Sequence, residues 1–161
     1  MAESIAFSRS ADRSVVYREI APQVEALLDG EPDLTANLAN VAAVLKEAFG
    51  FFWVGFYLAK DGQLVLGPFQ GPVACTRIDF DKGVCGYVFS QRRTEIVPNV
   101  DEFPGHIGCA SASRSEIVVP VFDRNGDIRG VLDVDSDSLD DFGLADKEGL
   151  EAIAQLIIDK F

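Results

Sequence analysis

The stretch Ser115–Ser136, SEIVVPVFDRNGDIRGVLDVDS, holds two β-branched, apolar runs on either side of Asn125 and Gly126, the strongest short hairpin signal in the chain. With those two residues at the centre of the turn, Arg124 opposes Asp127, and counting outward sets Val118 against Asp133 and Glu116 against Asp135. Strand side chains alternate between faces, so Glu116, Val118, Asp133 and Asp135 share one face and Ile117, Val119, Leu132 and Val134 the other. A centred loop of even length keeps this pairing, whereas an odd loop with a bulge shifts it. Directly opposed Cβ atoms lie roughly 4.5–5.5 Å apart, and two carboxylates about 4 Å apart repel by roughly 4 kcal/mol at an effective dielectric near 20. A proton or a bound ammonium would resolve that conflict; so would water, if the acids lay on a solvated outer face.

Working outward, the hairpin is preceded by a second pair of strands. FFWVGFYLA and QLVLGPFQG flank a Lys60-Asp61-Gly62 turn, and Cys75 follows in the extended apolar run VACTRI. GVCGYVFSQRR reads as a short helix carrying Cys85, TEIVPNV as another extended segment, and DEFPGHIGCASAS as a loop carrying Cys109 and the single histidine, His106. At the N-terminal end, Val16, Ile20, Val24, Leu27 and Leu28 fall at helical spacing between Asp12 and Asp29, with Gly30 at the exit and a kink expected at Pro22. Asp33 suits the cap of a second helix, whose stripe of Leu34, Leu38, Val41, Leu45 and Phe49 ends at Gly50. A last helix starts near Leu144, with Leu150, Ile153, Leu156 and Ile157 on its apolar face.

Composition narrows the function. A chain of 161 residues with 48% apolar residues fits one domain with a proper core. Its formal net charge of -12 opposes binding to nucleic acid or to an anionic membrane. The longest apolar stretch, Ala48 to Ala59, is too short to span a bilayer. The opening MAESIAFSRSADR has no apolar core of the signal-peptide kind, so a cytoplasmic chain is expected.

In that compartment, three cysteines at positions 75, 85 and 109 suit a redox cycle or a metal site better than a structural staple. Taken singly, each thiol is more often a small buried hydrophobe, and Cys75 in its strand fits that description. Cys109, among small loop residues, fits it poorly. The three cysteines with His106 total four zinc ligands, but no CxxC knuckle is present. DVDSDS offers oxygen ligands for calcium, but it lacks the glycine and distal glutamate of an EF-hand loop. No metal or cofactor is expected.

With these residues in hand, the chain resembles the free methionine-(R)-sulfoxide reductases, which are built on a GAF domain. The resemblance runs from about Leu34 to Ile158 through WVGFYL, LGPFQGPVAC, GVCGYVF, PNV and FPGHIGCAS, SEIVVP and GVLDVDS. It implies an α+β fold, a single GAF-like domain over residues 1–161 with a twisted antiparallel sheet of about six strands flanked by helices, the N-terminal helix at about 12–29 packing on it. It implies that Cys109 attacks the sulfoxide sulfur, Cys75 resolves and Cys85 assists, and that Glu116, Asp133 and Asp135 bind substrate with Trp53 and Tyr57 in the pocket wall. Read without the family, Trp53 and Tyr57 are core aromatics. The resemblance further implies thioredoxin as reductant and a homodimer. The competing reading is a GAF module that binds a small ligand and signals without catalysis.

Overall fold

The computed structural model describes residues 4–109 and 111–161. Six strands form one antiparallel sheet in the order β3-β2-β1-β6-β5-β4, with β1 at Trp53–Lys60, β2 at Gln63–Gln70, β3 at Arg77–Asp79, β4 at Glu95–Val97, β5 at Ser115–Phe122 and β6 at Ile128–Ser136. Helices α1 (Arg13–Leu28), α2 (Leu34–Phe49) and α4 (Leu144–Leu156) cover one face; α3 (Gly83–Gln91) lies on the other. This is the α+β architecture expected. No helix among the described residues is long and apolar enough to cross a membrane.

The helices begin and end where side-chain chemistry dictates. Asp33 accepts the Ala36 N–H at 2.8 Å, satisfying one of the unpaired donors of α2, and Gly50 closes that helix in the left-handed region. Helix α1 continues through Pro22, which lies on its exposed side. It buries Val16, Tyr17, Ile20, Val24 and Leu28; Leu27, assigned above to the same stripe, is only half-buried.

The central ladder has the register deduced from the turn. Glu116 pairs with Asp135, Val118 with Asp133 and Val121 with Gly130. The turn itself differs. The Asp123 N–H donates to the Asp127 carbonyl at 2.9 Å, leaving an odd loop of Arg124, Asn125 and Gly126 with Gly126 at φ 80°, and Arg124 does not oppose Asp127. Phe122 then pairs with Ile128 and Val121 with Gly130, so a bulge between those pairs leaves Arg129 of β6 unpaired and absorbs the extra residue. Two odd steps cancel, so the expected pairing survives on a different loop.

Both faces of β5 and β6 are covered. Ile117, Val119, Val121, Leu132 and Val134 join α1, α2 and α4 in the larger core, while Val118 and Val131 join Trp53, Tyr57 and the apolar side of α3. Pro120 is tolerated in β5 because β4 pairs only with Glu116–Val118, so its missing N–H faces an open edge. At the far side of the larger core, Asp146 on α4 accepts from Tyr17 Oη at 2.9 Å and Arg13 at 3.1 Å, tying α1 to α4.

The α1–α4 contact is close enough to reverse a helix preference. Replacing glycine by alanine inside a helix normally adds about 0.5–1 kcal/mol of stability. A Cβ at Gly149 would lie 2.2 Å from the Tyr17 ring. Gly149→Ala is therefore expected to destabilise the protein by about 1–3 kcal/mol in urea denaturation, the usual cost of overpacking.

Candidate active site

Where β1, β6 and β5 lie side by side, alternation brings Trp53, Gly55 and Tyr57 onto the same face as Asp135, Asp133 and Glu116, since Trp53 pairs with Asp135 and Gly55 with Asp133. That face is roofed by the start of α3 and by the loop before β5, leaving a cleft with about 440 Å³ of empty space, part of it open to solvent. Trp53, Tyr57, Cys85, Cys109 and the three acids all contribute to its walls.

The solvated reading of the acids fails here. Glu116, Asp133 and Asp135 are each only 6% exposed. One carboxylate oxygen from each lies within 4.8 Å of the others. Burial, followed by the neighbouring negative charges, pushes Glu116 and Asp133 well above the ordinary carboxyl range. Asp135 rises only to about 6: burial pushes it up, and the hydrogen bonds it accepts, that of Glu116 foremost, hold it back. Near neutral pH the cluster is therefore two neutral carboxylic acids around one carboxylate. Asp133 Oδ1 is buried without a hydrogen-bond partner, so the set is incomplete with respect to a donor. Three oxygens converging on one point suit a small cation, and an ammonium meets that requirement as well as a metal would.

Cys75 and Cys109 are bonded to each other, with their Cα atoms 5.0 Å apart. That linkage excludes the four-ligand zinc arrangement in this form. It also corrects the placement of Cys75, which lies not in a strand but in the loop between β2 and β3 and is half-buried. Two aromatic side chains fix this loop: Trp53 Nε1 donates to the Pro72 carbonyl at 3.0 Å and Tyr57 Oη to the Cys75 carbonyl at 2.9 Å. Trp53 and Tyr57 are each 1% exposed, as core aromatics are, and each also lines the cleft. Burial and then the Asp133 charge push the Tyr57 phenol upward, which keeps it a donor.

Cys85 is a free thiol buried on α3, facing the same cleft. Burial, reinforced by Asp133, raises its pKa well above the ordinary value, so it stays protonated at neutral pH. Lys82, Ile107 and Ser113 also line the cleft without having been singled out in the sequence, and His106, raised there only as a zinc ligand, lines it too. Burial pushes the His106 imidazole down, which favours its neutral form. Lys82 precedes α3, whose first turn has no side-chain cap, so unpaired N–H groups and an ammonium approach the acidic cleft from one side. A lysine beside a glycine carries no signal of this in one sequence; the α3 start reaches the cleft only once β3 has joined the sheet. Arg114, the cation closest in sequence to Glu116, is exposed and outside the cleft.

The geometry can be set beside known proteins. Residues 33–158 match the GAF domain family. GAF domain-containing protein A of Dictyostelium discoideum is 52% identical over 158 residues, covering 98% of this chain and 99% of that protein. The free methionine-R-sulfoxide reductase of Saccharomyces cerevisiae is 38% identical over 164 residues, covering 97% and 91%. The X-ray structure of the free methionine-R-sulfoxide reductase of Neisseria meningitidis in complex with its substrate superposes with a TM-score of 0.94 at 51% identity, covering 98% of this chain and 95% of that one.

The raised carboxyl pKa values fix the sign of a pH effect. An acid that stays protonated when folded but ionises when unfolded costs stability as pH rises above its unfolded value, near 4.3 for glutamate. Glu116→Gln is therefore expected to raise the stability at pH 7.5 by on the order of 1 kcal/mol, with the gain shrinking as pH falls to about 4. Urea denaturation across that range checks it. A gain independent of pH would mean that Glu116 does not titrate abnormally.

Proposed function

Because the chain belongs to the GAF-domain family and, within it, to the free methionine-(R)-sulfoxide reductases, we propose that this cleft reduces the R-sulfoxide of free methionine with Cys109 as the attacking thiol. The observation that carries this reading is the Cys75–Cys109 disulfide at the wall of a cleft with three buried carboxyl groups. A ligand-binding GAF module without catalysis has no use for such a pair.

A sulfoxide sulfur accepts a nucleophile only when its oxygen is protonated or strongly hydrogen-bonded. Glu116 and Asp133, held neutral by burial and mutual repulsion, supply a proton where a surface carboxylate would not. Asp135, the member that keeps its charge, holds the substrate α-ammonium. Its buried position explains a preference for the free amino acid, since a methionine within a peptide has no α-ammonium to offer. Trp53 and Tyr57 stack with ring centroids 6.0 Å apart and give the thioether end an apolar wall.

With the pair reduced, the Cys109 thiolate attacks sulfur while an acid protonates the oxygen. Methionine leaves, reduced by two electrons, and the oxygen remains on Cys109 as a sulfenic acid. The Cys75 thiol then attacks the Cys109 sulfur and water departs, giving the disulfide. Cys85, protonated and buried, assists from the floor of the cleft. A cytoplasmic thioredoxin returns two electrons and two protons to the pair. A homodimer of this single catalytic domain, with α1 packed on the side away from the cleft, completes the reading.

The test is turnover of the two sulfoxide epimers of free methionine and of a methionyl peptide. Only the free R epimer is expected to react. Cys109→Ser is expected to lower the rate by at least about a thousandfold. Cys75→Ser is expected to release about one methionine per enzyme in the first phase and then slow sharply. Full activity in Cys109→Ser would defeat the assignment.

A further inference from the structure

Among the described residues, Val73, Ile107, Leu139 and Leu144 are the large apolar side chains left exposed. Two of them sit at matching places: Val73 is two residues ahead of Cys75 and Ile107 two ahead of Cys109. Val73 is 87% exposed and stands on a tip with Gly71 and Pro72, also exposed. The two loops that carry the disulfide, residues 71–76 and 103–114, contain no aspartate or glutamate, although the chain has 26 acids. His106 and Arg114 are their only basic or titratable residues besides the cysteines, and Arg77 follows the first loop at the start of β3. Asp79 ends β3, Asp81 and Lys82 lie between β3 and α3, and Asp101 and Glu102 precede the second loop.

We propose that the apolar rim around the Cys75–Cys109 bond, led by Val73, is the docking surface for a dithiol protein that reduces this bond in each catalytic cycle. The proposal rests on the reductase reading above. A thiolate can break a disulfide only by approaching one sulfur along the S–S axis, so a protein reductant must cover the residues flanking that bond. Both loops meet this need with apolar side chains and no carboxylate, which lets a partner with an acidic surface approach a chain of net charge -12. The tip is also held in place. Trp53 and Tyr57 bind the Pro72 and Cys75 carbonyls, so little ordering cost remains when Val73 is covered.

Both cysteines are half-buried, Cys109 among the residues that line the cleft and Cys75 on the loop that carries Val73, and the proposal assigns the attack to Cys75. The partner thiolate attacks Cys75 Sγ, the Cys75–Cys109 bond breaks and Cys109 leaves as a thiolate. The partner's second thiol loses its proton and attacks the partner's own sulfur in the mixed disulfide, and Cys75 leaves as a thiolate that takes up a proton. Two electrons have passed from the partner dithiol, which ends oxidised, to the cysteine pair, which ends reduced.

The experiment compares two reductants on the full chain with free methionine-(R)-sulfoxide: thioredoxin kept reduced by its reductase and NADPH, and dithiothreitol. Val73→Ser is expected to raise the KM for thioredoxin about three- to tenfold and Val73→Glu more, with dithiothreitol-driven turnover unchanged in both. A thioredoxin lacking its second cysteine is expected to be trapped on Cys75 and not on Cys109, read by peptide mass. An unchanged KM for thioredoxin in both variants would overturn the docking surface. A changed molecular mass of Val73→Glu in solution would overturn it too, assigning the tip to contact between copies of the chain. No turnover of the unsubstituted chain with dithiothreitol would instead remove the reductase reading beneath it.

Discussion

Three carboxyl groups share a buried space because the backbone ladder leaves them no other place. Glu116 and Asp135 are paired residues on neighbouring strands, and Asp133 is two positions away on the same face. A one-residue slip of β6 would take Asp133 and Asp135 off the cleft face, but it would also turn Leu132 and Val134 out of the larger core and the two acids into it. Exposing those two side chains would cost on the order of 3–6 kcal/mol at 1.5–3 kcal/mol each, before the cost of burying the acids among apolar groups. One carboxylate pair repels by about 4 kcal/mol at an effective dielectric near 20. Register therefore wins, and the repulsion is relieved by protonation.

That protonation makes the cluster chemically useful. Three carboxylates would bind a cation but could not donate a proton. Two neutral acids with one anion do both, and the division follows from which residue accepts hydrogen bonds: Asp135 accepts, so it keeps its charge, and Glu116 donates. The same sheet face also sets the redox geometry. Trp53 and Tyr57 extend from β1, line the cleft and hold the loop of Cys75 by its carbonyls, so the wall of the cleft also fixes the position of the Cys75 sulfur.

Much of this was legible in the sequence, and the limits have physical causes. Local patterns were read well: the Asp33 cap, the Gly50 exit, the helix around Cys85 and the facing of Glu116 with Asp135. The hairpin register came out right although the turn did not, because a bulge at Arg129 offsets the odd loop. Cys75 was misread as strand because VACTRI is apolar and extended in character, yet pairing starts only at Arg77. Burial of the acids was beyond the reach of one sequence, since alternation gives the face and not what covers it. The cover is α3 and the loop before β5, brought there by long-range packing, and this is also why Lys82, Ile107 and Ser113 were missed.

The acids raise a difficulty for the proposed nucleophile, since negative charge near Cys109 disfavours the thiolate that attacks. The cleft reduces that penalty in two ways. With Glu116 and Asp133 neutral, one anion remains where the residue count suggests three. The uncapped start of α3 and Lys82 face the same space with positive potential. On the proposed reading, substrate removes the rest, because its ammonium neutralises Asp135 as it binds. The thiolate is then most favoured when a sulfoxide is in place to receive it, and least favoured in the empty cleft, where a free thiolate would be open to oxidation. A cluster that opposes the nucleophile in the empty cleft thus ties its activation to occupancy of the site.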